Sequence, residues 1–147
     1  MNDVEEDVFS DSGLSKKVSD HERVIRFFKD SNSYNSRFVK AQAFLPRPNH
    51  HTQHLEVSVF RDQSEDIEYW KQRNKEILSN SQLHGFARIS VRSIRMFDLE
   101  LDADDTPPAH ANIIQWPIDS DLTLQKAIHK QIAQKLASNA ERILYSA

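Results

Sequence analysis

The chain has 147 residues, 38% hydrophobic and 28% charged, enough for one domain with its own core and ordinary for a globular protein. Its net charge of −3 offers no overall attraction to nucleic acid or an anionic membrane, and no apolar run is long enough to span a bilayer. Cysteine is absent and Gly13 and Gly85 are the only glycines, which excludes disulfides, a thiolate ligand or nucleophile, glycine-rich phosphate loops and a G-x-S-x-G elbow.

Residues 1–18 are polar and acidic, so they are expected to form a disordered, flexible acidic tail ahead of a single α+β domain at 19–147. The first residues lack the basic and apolar regions of a signal peptide, and with the absence of cysteine this predicts a cytoplasmic protein. Ser19-Asp20-His21-Glu22 has the form of a capping box, and Val24, Phe27 and Phe28 share a helical face, which predicts a helix over 20–30. An extended segment over 38–45 should end at Pro46-Arg47-Pro48. Leu55–Arg61 alternates as a strand, with Leu55, Val57 and Val59 on one face and Glu56, Ser58 and Phe60 on the other. A helix over 64–79 follows, capped by Asp62 or Ser64, with Ile67, Trp70, Asn74, Ile77 and Leu78 inward.

Gly85 breaks the chain before strands at 86–91 and 97–103. Residues 92–96 between them lack Gly and Asn, so a bulge or a helical turn is expected there rather than a tight hairpin. A strand at 111–116 stops at Pro117. Leu124, Ile128, Ile132, Leu136 and Ala140 then recur every four residues and predict an inward stripe on a helix over 121–144. The order of elements predicts an α+β fold: a mainly antiparallel sheet of about four strands with helices packed on one face.

Three sets of residues bear on function. His50, His51 and His54 precede the first clear strand. They lie in a loop without a matching third ligand, so no metal site is expected, and no cofactor is implied. His50-His51-Thr52 resembles the H-x-T spacing of two-histidine phosphoesterases, and His110-Ala111-Asn112 offers H-x-N. That resemblance implies one imidazole acting as base and another as acid on a phosphoester: His54 and His110, with Arg61 or Arg47 holding the anion. Asp98, Glu100, Asp102 and Asp104 recur with a period of two, placing four carboxylates on one strand face beside Arg88, Arg92 and Arg95. Such a face is either solvated or, if functional, a docking surface for a basic partner or a weak Mg²⁺ or Ca²⁺ site. Trp70 and Trp116 read as core anchors, and no Ser-His-Asp set can be assigned because Ser and Asp are too numerous.

The leading expectation is a small cytoplasmic accessory or regulatory protein that acts by protein–protein binding. Its partner would be a basic protein or a second copy in a homodimer. No membrane association is expected, and nucleic acid ranks last. The alternative is the His-dependent hydrolase acting on a phosphoester.

Overall fold

The computed structural model describes residues 12–79 and 82–146. Among them seven strands form one antiparallel sheet: β1 (Arg23–Phe27), β2 (Arg47–Pro48), β3 (Leu55–Arg61), β4 (Gly85–Ser90), β5 (Glu100–Asp102), β6 (His110–Ile114) and β7 (Glu141–Leu144). The order across the sheet is β5-β6-β3-β1-β4-β7, with β2 paired to β3. Three α-helices accompany it among the described residues: α1 (Ile67–Ile77), α2 (Val91–Met96) and α3 (Leu122–Ser138).

Helices cover both faces of the sheet, not one. On one side Val24, Val57, Val59, Ile89 and Ile113 pack with Ala133, Leu136 and Ala137 of α3. On the other, Ile25, Phe27, Phe60 and Phe86 pack with Trp70 of α1. This double covering explains the misread first element. A strand buried on both faces loses its polar alternation, so Val24-Ile25-Arg26-Phe27-Phe28 read as a helix. The predicted capping contact does form, since the Glu22 carboxylate accepts from the Ser19 N–H at 2.8 Å, but it closes a turn that opens into β1.

Residues 38–45 are not extended throughout: Ala41–Phe44 is a 3₁₀ turn packed against α3. α1 starts later than expected, capped by Asp66, whose carboxylate accepts from the Glu68 N–H. The helical turn anticipated at 92–96 is α2, capped by the Ser90 hydroxyl. The strand expected at 97–103 is only Glu100–Asp102. The terminal helix ends at Ser138, and residues 141–144 turn back as β7 against β4. Its inward stripe is His129, Ala133, Leu136 and Ala137, while Leu124 is 47% exposed. His129 reaches the Pro117 carbonyl at 2.6 Å and lies edge-on to Trp116.

Residues 1–11 of the expected tail lie outside the described residues. From Ser12 onward the segment is anchored: Val18 is buried, the Ser12 N–H donates to Asp105 Oδ2 at 2.9 Å, and the Val18 carbonyl accepts from Arg95.

Candidate functional site

The sheet face that carries α1 is apolar beneath the helix and polar beyond it, on β3, β6 and β5. The register places Phe60 opposite His110, Ser58 opposite Asn112, and Asn112 opposite Asp102. The period of two sends Ser58, His110 and Asn112 to the same side as Phe60. Three residues from separate segments meet there. His110 Nε2 is 2.5 Å from Ser58 Oγ, and His110 Nδ1 is 2.7 Å from Asp104 Oδ1.

The surroundings fix this chain of contacts. Asp104 Oδ2 accepts from Asn112 Nδ2 at 3.1 Å, and Oδ1 also accepts from the Thr106 N–H at 3.2 Å. The imidazole stands edge-on to Phe60, with ring centroids 5.2 Å apart. An ionised carboxylate only accepts hydrogen bonds, so Nδ1 of His110 carries a proton. In the neutral ring Nε2 then offers a lone pair, and the Ser58 hydroxyl donates to it. A hydroxyl bonded to an imidazole that a carboxylate orients is the arrangement that activates a serine nucleophile.

Ser58 also lines a crevice of about 100 Å³ at the C-terminal end of α1. Phe27, Phe60, Ile77 and Leu78 form its apolar walls, and Arg26 and Lys29 supply its charge. β1 pairs with β3 only at Val24↔Arg61 and Ile25↔Phe60. Past that point the Arg26 guanidinium crosses the gap, its Nη1 donating to the Ser58 carbonyl at 2.8 Å and its Nε to the Ala43 carbonyl at 3.0 Å. Burial, helped by the charge of Arg47, pushes the Arg26 pKa down to about 10. The charge of Arg26, then burial and Arg47, lowers that of Lys29, with Asp30 opposing.

On the other flank of Ser58–His110–Asp104 lies a broad concavity of about 800 Å³, lined in part by His54, Glu56, Asp102, Asp104, Asn112 and Trp116. Asp104 and Asn112 therefore belong both to the hydrogen-bonded chain and to this surface.

The residues singled out from the sequence fall in separate places. His54 is exposed at the entry to β3, whereas His110 faces Phe60, six strand positions on and about 20 Å away. The pair cannot flank one phosphate. Arg61 ends β3 on the α3 side of the sheet, where Glu22 grips it through Nε and Nη2, both at 2.8 Å, and the Ser15 carbonyl takes Nη1. The acidic run is not one ladder. Asp98 is in a turn with φ 63°, and Glu100 is tied to Arg95 at 2.7 Å, so only Asp102 and Asp104 reach the concavity. His50 and His51 are exposed in the loop, and among the described residues no group of three His, Asp or Glu is placed to hold a metal.

Sequence reasoning missed Ser58 and Asp104 as partners of His110. The outward parity of Ser58 was legible, but its pairing with β6 was not. No protein-family model, curated protein or solved structure matches the chain. No helix of the described residues is long and apolar enough to cross a membrane.

Proposed function

We propose that the protein is an ester hydrolase with Ser58 as nucleophile, His110 as general base and then acid, and Asp104 holding the imidazole. The observation that carries this reading is the continuous Ser58–His110–Asp104 chain at 2.5 and 2.7 Å, with the Asp104 carboxylate itself held by Asn112. Ser58 Oγ bonds to the electrophilic centre of the ester as its proton passes to His110 Nε2. The leaving oxygen takes that proton and departs as the alcohol. Water then attacks the Ser58 adduct and gives its proton to His110, which returns it to Ser58 as the acid product leaves. His110 keeps the catalytic part that its sequence context gave it, but its partners are Ser58 and Asp104 in place of His54 and Arg61. A cytoplasmic setting fits the absence of cysteine.

The test is hydrolysis of a panel of chromogenic carboxylic and phosphate esters. Ser58→Ala and His110→Ala should each lower kcat/KM by on the order of 10³-fold, with Asp104→Asn close behind. Variants as active as the wild type would end the proposal.

One observation favours a second reading, docking of a protein partner or a second copy of this chain. Ile118, Leu122 and Leu124 at the entry to α3 are 84%, 67% and 47% exposed. A chain inert on every ester, yet dimeric or partner-bound in a manner lost in Ile118→Asp, would favour this reading.

A further inference from the structure

We propose that the ester is a phosphoester, its phosphoryl group held by Arg26, Lys29 and Arg47 beside Ser58; this rests on the hydrolase reading above. Among the described residues Arg23, Arg61, Arg73, Arg88 and Arg95 each reach an acidic side chain. Among the described residues Arg26, Lys29 and Arg47 form no ion pair; Arg37 and Arg92 form none either, but these three meet around one hollow, and the two fixed bonds of Arg26 go to backbone carbonyls. Their charges are felt together, since Arg26 and Arg47 both weaken the hold of Lys29 on its proton.

Two negative features lie close, and neither closes the account. Asp30 favours the charged form of Lys29 and lines the hollow shared by Arg26, Lys29 and Arg47, so it offsets one of the three positive charges. The C-terminal end of α1 contributes about half an elementary charge. Two of the three cations, Arg26 and Lys29, line the crevice itself, and the positive charge that remains suits an anion bound by charge-assisted hydrogen bonds.

The crevice also selects the kind of anion. Ser58, Arg26 and Lys29 line the same space of about 100 Å³, roughly the share of three waters. Arg47 joins Arg26 and Lys29 in the adjoining hollow. A phosphoryl group seated against Ser58 in this space meets Arg26 and Lys29, and its charged oxygens use them as a neutral acyl group would not. Ser58 Oγ forms a bond to phosphorus as the bond from phosphorus to the leaving oxygen breaks. The cations hold the non-bridging oxygens throughout, which is where transition-state charge resides.

Calorimetric titration with inorganic phosphate tests the site without relying on turnover. Wild-type protein and Ser58→Ala should bind phosphate equally well. The double variant Lys29→Ala/Arg47→Ala, changed only at exposed positions, should bind at least 10-fold more weakly. Arg26→Lys, which keeps the charge, should retain binding. Phosphate that fails to bind at millimolar concentration, or binds the double variant as tightly as the wild type, overturns the inference. Wild-type hydrolysis of p-nitrophenyl acetate but not p-nitrophenyl phosphate, with no inhibition by phosphate, also overturns it while leaving the hydrolase reading standing. Phosphate binding by a protein inert on both esters supports the anion site and ends the hydrolase reading instead.

Discussion

Arg61 and Arg26 leave neighbouring strands of one sheet, and their guanidinium groups end in opposite kinds of company. Arg61 meets a carboxylate in a two-point grip from Glu22, with a carbonyl taking the remaining edge. Arg26 meets carbonyls only, from Ser58 and Ala43, while its charged neighbours are Lys29 and Arg47. A carboxylate neutralises a buried cation and leaves it nothing to do but hold the chain. Carbonyls satisfy its hydrogens and leave its charge available. The first arginine fastens the segment before β1 to the end of β3, and the second places an unspent charge against the backbone of Ser58.

The comparison can be broken most sharply at Glu22. Glu22→Ala leaves Arg61 buried and unpaired. It should cost about 2–3 kcal/mol in urea denaturation, less than a fully enclosed pair because Glu22 remains 27% exposed. Arg26→Met keeps an unbranched apolar stem and removes a charge whose burial is unfavourable, against two lost bonds to carbonyls. Its stability should stay within about 1 kcal/mol of the wild type. A loss as large as that of Glu22→Ala would mean that Arg26 is as structural as Arg61.

A neutral group sharpens the contrast. Tyr145 donates to Asn74 Oδ1 at 2.9 Å, and burial raises its pKa above the ordinary 10.0. Below pH 10 the phenol is protonated in both folded and unfolded chains, and its contribution is fully present. Above it the unfolded chain ionises first, so the contribution is lost as pH rises towards the folded pKa. Tyr145→Phe should cost about 1 kcal/mol at neutral pH. The gap to wild type should narrow in chemical denaturation above pH 10; a gap that widens would contradict the raised pKa.

What could be read from the residues divides along physical lines. β3 was legible to the residue because one of its faces keeps polar groups outward, and α1 because Trp70 and Asn74 repeat at helical spacing. β1 was not, because it is covered on both sides. β7 was missed because the apolar spacing of α3 runs on past Asn139, where the helix is already capped. The site was half legible. His110 stood out as a residue type, but Ser58 and Asp104 are ordinary polar residues in the sequence. Only the pairing of β3 with β6 and the turn after β5 bring them to the same imidazole. Non-local pairing is the part of a fold that periodicity does not encode.

The strand order has a consequence in time. β1 lies at the centre of the sheet, yet its neighbours β3 and β4 are supplied by distant parts of the chain, and side-chain contacts that hold β1 and the segment before it are non-local too. Arg26 to Ser58 spans 32 residues, Arg61 to Ser15 spans 46, and Arg95 to Val18 spans 77. Each such contact requires the chain to surrender loop entropy before any burial rewards it, which places refolding among the slower single domains, in milliseconds to seconds. During that wait the apolar β1, with both edges unpaired, is the segment most open to capture by another molecule of the same kind. Dilution should therefore improve the recovery of native protein more than any change of temperature.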